Sequence, residues 1–145
     1  MPTVNREIAT PASRVWAVLA DAWSYASWVV GAAHIRDVDA DWPQVGSRLH
    51  HSVGSWPLMM RDYTAVLASE PEQKLVLRAR AWPFGEAQVT VTLRPAGNGG
   101  CRVTMEEHPI HGPGAWLHNP AFEALLRARN TETLRRLDDL AVGSR

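Results

Sequence analysis

His51, Asp62 and Glu107 are the residues of this sequence best suited to acid/base chemistry. A buried carboxyl holds its proton to higher pH, and a nearby carboxylate favours imidazolium, so a His and a Glu lining one enclosed space could exchange protons with a bound molecule. Strand parity selects two of the three. Leu49 and Val53 share parity with His51, which turns His51 inward and His50 outward. Val103 and Met105 likewise turn Glu107 inward and send Glu106 and His108 outward. Asp62 follows Leu58-Met59-Met60, which is apolar throughout, so the parity of Asp62 and of Arg61 stays open. Against the catalytic reading stands a plain one: His51 and Glu107 in structural hydrogen bonds, and Asp62 exposed opposite an arginine of a neighbouring strand.

A second polar group lies near the C-terminus. In the stretch FEALLRARNTETLRRLDDLAV, Phe122, Leu126, Leu137 and Leu140 fall on one helical arc, flanked by Leu125, Leu134 and Ala141. Asn130 and Thr133 lie inside that arc and Arg129 at its edge. Polar groups facing an enclosed space must find partners in protein, water or ligand. Asn130 and Arg129 either orient a ligand carbonyl or hydroxyl, or bond respectively to sheet backbone and to a carboxylate at the rim. The apolar residues expected to line the same space are Trp28, Met60, Met105, Phe122 and Leu126. Trp82 and Trp116 stand in loops near strand ends, as gates to a pocket or as plugs of the core.

Other chemistries have little support. No HExxH or paired cysteines occur, and His108 and His111 sit beside Pro109 and Gly112 rather than on a helix, so no metal is expected. No GxSxG is present, and Gly97-Asn98-Gly99-Gly100 reads as a hairpin turn rather than a phosphate cradle, so no cofactor is expected. Lys+Arg and Asp+Glu balance at 15 each, which gives no field to draw in nucleic acid or a lipid surface. The single cysteine, Cys101, allows no intramolecular disulfide and reads as a buried inert thiol. The start MPTVNREI has no basic segment followed by an apolar run, and no stretch reaches the roughly 18 apolar residues of a membrane helix. A cytoplasmic protein, monomer or homodimer, is the expectation.

Periodicity indicates the helices and strands that carry these residues. The 145 residues fit one domain, 1–145. Val4, Arg6 and Ile8 alternate with Asn5 and Glu7 as a short strand. Thr10 is placed as the cap and Pro11 as the first position of a helix carrying Val15, Trp16, Val18 and Leu19, which Asp21 ends. Ala22 to Val29 is a second short helix or turn, broken by Gly31. Six strands follow, over 34–38, 47–53, 58–68, 75–82, 86–93 and 102–108, with short connections that make an antiparallel meander. Ala87, Val89, Val91 and Leu93 oppose Gln88, Thr90, Thr92 and Arg94, so one sheet face is apolar and needs a cover. A helix capped by Asn119, started by Pro120 and ending near Gly143, roughly 33 Å long, supplies it.

That order resembles the START-like helix-grip superfamily (SRPBCC), in its bacterial polyketide cyclase/dehydrase-like branch. The segments that carry the resemblance are ATPASRVWAVLADAWSYASWVVGA, VGSRLHHSVGSWP, LRARAWPFGEAQVTVTLRP, RVTMEEHPIHGPGAWLHNP and RARNTETLRRL. It implies an α+β fold in which a curved antiparallel sheet wraps around the long C-terminal helix, with two short helices after the first strand. It further implies a cavity between sheet and helix for a lipid, polyketide or aromatic compound, with or without cyclase or dehydratase activity. A different reading within the same fold is a protein-interaction module of the chaperone-activator type, with no small-molecule chemistry.

Overall fold

The computed structural model describes residues 3–29, 32–53, 60–81, 85–111 and 120–143, with backbone only at 32–34, 36, 52, 53, 60–62, 80, 81, 85 and 111. The chain opens with β1 (Thr3–Ile8), α1 (Ala12–Ala20), one 3-10 turn (Ala22–Ser24) and α2 (Tyr25–Trp28). Six strands follow: β2 (Ala32–Val38), β3 (Arg48–Val53), β4 (Met60–Glu70), β5 (Lys74–Ala81), β6 (Gly85–Pro95) and β7 (Cys101–His111). The last element is α3 (Pro120–Gly143).

All strands join one antiparallel sheet of seven, in the order β1-β7-β6-β5-β4-β3-β2. The meander expected from the turn spacing is present. β1 extends it as a seventh strand, pairing with β7 from Thr3 opposite Glu106 to Ile8 opposite Cys101. Gly100 makes this close pairing possible, because a Cβ there would come within 2.9 Å of the Ile8 carbonyl oxygen. The sheet stays open, with β1 and β2 at its edges. Register shifts between Val66 and Ala68, and between Glu86 and Ala87, insert extra residues that bend and twist the strands. Leu67, the extra residue in β4, is left exposed.

The apolar face set by alternation is the buried one. Leu75, Leu77, Val91, Leu93 and Val103 are buried on the sheet, and α3 covers them with Leu134, Leu137 and Ala141. α3 packs against β1, β7, α1 and α2. Burying each such leucine stabilises the fold by about 1.5–3 kcal/mol relative to leaving it exposed. Arg6 clamps the arrangement from β1 through a 2.7 Å bond from its Nε to Asp138 of α3.

Two boundary expectations are corrected. Thr10 does not cap α1. Pro11 takes the N-cap position with an extended backbone (φ −64°, ψ 156°), and the helix begins at Ala12. The fixed proline φ suits either position, and ψ decides between them. Thr10 is instead buried, with its N–H bonded to the Ile8 carbonyl. Leu125 does not flank the buried arc of α3 but is 61% exposed. The buried arc runs through Leu126, Asn130, Thr133, Leu134, Leu137 and Ala141, with the two polar residues inside it as expected. Pro120 starts α3 as expected. Asn119 and Gly31 lie outside the described residues.

Candidate functional site

Two hydrogen-bonded polar groups lie on the buried inner face of the sheet, one against α2 and one against α3. The first rests on β3 and β4. Alternation places His51 and Thr64 on the inner face, 4% and 0% exposed. His51 Nε2 lies 3.0 Å from Thr64 Oγ1. Thr64 also hydrogen-bonds the Tyr25 hydroxyl, delivered from above by α2. The Tyr25 ring stacks on the His51 ring at 6.4 Å and 15°, and meets Trp28 edge-on at 5.4 Å. Tyr25 and Trp28 are three apart on α2, so one turn of helix presents both rings together.

The second group joins β7 to α3. Glu107 is buried, and its Oε1 accepts from Arg129 Nη2 at 2.5 Å and from Asn130 Nδ2 at 3.0 Å. The Arg129 side chain keeps 38% of its surface exposed, so the pair runs from the interior to the rim. Removing only one partner from such a pair is costly, because it leaves the other desolvated without compensation.

Tyr25 connects the two groups electrostatically. Burial raises the pKa of its phenol above the ordinary value of 10.0. The Thr64 hydrogen bond and the Arg129 charge pull it back, and Glu107 pushes it up further. The phenol therefore stays protonated through the physiological range, able to donate or accept one hydrogen bond.

The sequence-selected residues are distributed as follows. His51 and Glu107 both face inward, as parity indicates, while His50 and His108 sit on the outer face beside Asp39 and Glu106 respectively. His51 and Glu107 do not bond each other among the described contacts: β3 and β7 lie four strand spacings apart, roughly 19 Å along the sheet. The link between them passes through Tyr25 and Thr64, which sequence reasoning did not single out. The backbone register sets Asp62 opposite His51; the side chains of Asp62, Arg61 and Met60 lie outside the described residues. Trp28, Met105, Leu126, Asn130 and Thr133 are buried at the interface, and Phe122 is half-buried. Trp82 and Trp116 lie outside the described residues. Asn130 bonds a carboxylate rather than sheet backbone, and Arg129 shares that carboxylate. Cys101 is fully buried, and burial raises its thiol pKa, which makes it unreactive.

An open depression of about 310 Å³ lies elsewhere, lined by Arg14, Ala17, Val18, Asp21, Ser24 and Leu140. It holds none of the buried polar groups. No helix among the described residues is long and apolar enough to cross a membrane.

Solved structures share this architecture at low sequence identity. Protein NE0264 from Nitrosomonas europaea superposes with a TM-score of 0.74 at 19% identity, over 98% of this chain and 94% of that one. The di-domain ARO/CYC StfQ from the steffimycin biosynthetic pathway gives 0.70 at 12% identity, over 99% of this chain and 52% of StfQ. DynU16, a putative protein in the dynemicin biosynthetic locus, gives 0.65 at 22% identity, over 98% of this chain and 47% of DynU16. These likenesses establish the helix-grip fold. No curated protein matches the chain. The family model described as polyketide cyclase / dehydrase and lipid transport matches residues 2–142, and this chain belongs to that family.

Proposed function

We propose that this protein binds an apolar small molecule between α3 and the inner face of the sheet, held by polar groups at both ends of the interface. The observation that carries the reading is the make-up of that interface. An apolar helix-sheet contact needs no polar residues, and hydrophobic replacements of similar volume are often as stable or more so. Here Glu107 of β7 and Asn130 and Thr133 of α3 are buried, and so are His51 and Thr64 on the inner face of β3 and β4. The family description, with its cyclases and lipid carriers, supports a ligand of this class. So do the biosynthetic settings of StfQ and DynU16. His51, Asp62 and Glu107 are the proposed acid/base groups if the bound molecule also reacts. Trp28, Met60, Trp82, Met105, Trp116, Phe122 and Leu126 are the proposed apolar lining.

Native mass spectrometry of freshly purified protein tests the reading. We expect a one-to-one adduct of an apolar compound that is lost on organic extraction, and regained when a naphthalene-sized compound is added. A bare chain mass before and after that addition would contradict it.

A further inference from the structure

We infer that the Tyr25 hydroxyl meets the polar group of the bound molecule. Thr64 and His51 behind it let that hydroxyl serve either a carbonyl or a hydrogen-bond donor, with the His51 tautomer following the ligand. This deepens, and rests on, the apolar-ligand reading above.

Thr64 is the hub. It is 0% exposed, and its Oγ1 lies between two partners, His51 Nε2 at 3.0 Å and the Tyr25 hydroxyl. A threonine hydroxyl has one proton, so it donates to one neighbour at a time. Among the described residues Thr64 Oγ1 has no third partner, so its proton goes to one of these two. Where Thr64 donates to Tyr25, it accepts from His51, and the imidazole carries its proton on Nε2. The phenol proton is then turned away from Thr64 and available to a carbonyl. Where Thr64 donates to His51, the imidazole proton sits on Nδ1, and the Tyr25 proton goes to Thr64 Oγ1. Tyr25 then offers only its oxygen, which suits a ligand that donates. Between the two states each hydroxyl turns about its C–O bond and keeps its own proton. The imidazole loses a proton from one nitrogen and gains one on the other, by exchange with water.

Placement selects Tyr25 as the contact. It comes from α2, while His51 and Thr64 belong to paired strands of the sheet. Stacking on His51 and an edge contact with Trp28 hold its ring from two sides. The phenol feels the charges of both Arg129 and Glu107, which sets it between the two polar groups, where α2 meets α3. Burial keeps the phenol protonated, so it has a proton to direct in either state. His51 and Thr64 are positioning residues in this scheme.

Three bicyclic probes of one skeleton test it: indole, which only donates, 1-indanone, which only accepts, and indene, which does neither. The readout is the His51 tautomer in long-range proton–nitrogen correlation spectra, recorded at about pH 8, where an ordinary imidazole is neutral. His51→Gln identifies the signals by their loss. With 1-indanone bound we expect the proton on Nε2, with indole bound on Nδ1, and with indene no change from the free protein. In Thr64→Val, which cuts the chain, the tautomer should stop responding to the probe. Tyr25→Phe should weaken indole and 1-indanone about fivefold each, while indene stays within about twofold. The three-probe comparison in the wild type stands on its own if either variant fails to fold. One tautomer shared by bound indole and bound 1-indanone would overturn the inference, and so would a response that survives in Thr64→Val. Both outcomes leave apolar-ligand binding intact. Binding of none of the three would sink the inference and the function together.

Discussion

Leu137→Ala is expected to destabilise the protein by about 3–4 kcal/mol, the range for a fully buried leucine whose site cannot collapse. Leu137 is 0% exposed on the covering face of α3, with Leu134 and Ala141 beside it. It belongs to the core cluster of a helix packed against β1, β7 and both N-terminal helices, which gives its neighbours little room to close over a cavity. For a domain of this length the loss corresponds to a fall in melting temperature of roughly 10 °C. Leu125→Ala on the same helix should change stability by less than about 0.5 kcal/mol, because Leu125 is 61% exposed. Thermal unfolding followed by circular dichroism distinguishes the two. Equal effects would mean that the helix rests on a different face from the one described.

Glu107→Ala should cost about 2–4 kcal/mol, more than its own contacts are worth. The substitution removes the acceptor of two donors at once, and one of them, Asn130 Nδ2, is buried where water cannot replace it. The Arg129 head keeps access to solvent, so its loss adds less than a fully buried partner would. The informative experiment is a double-mutant cycle with Asn130→Leu. If Asn130 is held by Glu107, the pair should couple by about 1–2 kcal/mol, with the double variant more stable than the sum of the single losses implies. Additive losses in chemical denaturation would show that the carboxylate and the amide act independently.

Much of this arrangement was legible in the sequence because its signals were periodic. Alternation in β6 and β5 identified the buried face, and the same parity turned His51 and Glu107 inward. The glycine-rich turn announced itself through residues that tolerate positive φ, and Asn98 and Gly99 do adopt it, at 61° and 76°. The rest depended on facts that periodicity does not carry. Pairing of β1 with β7 is a contact across about a hundred residues, and no local pattern specifies it. Leu125 reads as a flank of the apolar arc because leucine is apolar; the face that α3 buries leaves it outside.

Tyr25 and Thr64 carry no periodic signal that marks them as part of the site. Thr64 shares parity with Val66, but the apolar run before Asp62 concealed which parity faced inward. Tyr25 stands in an aromatic-rich segment one helical turn from Trp28, and nothing local distinguishes its hydroxyl. Its role comes from meeting Thr64 on another element, and only the folded chain brings these together. Asn130 was found for the right physical reason, a polar residue within an apolar arc. Its partner was not: the carboxylate of Glu107 takes the place expected for sheet backbone.

Isotope-filtered nuclear Overhauser contacts from added 2-naphthol, a naphthalene-sized probe, locate the proposed ligand site directly. We expect contacts from the naphthalene ring to the methyl groups of Met105, Leu126 and Thr133, with the Asn130 side-chain amide shifted on binding. Contacts to Val18, Ala17 and Leu140 instead, with Asn130 unmoved, would place the ligand in the outer depression and rule out binding between α3 and the sheet.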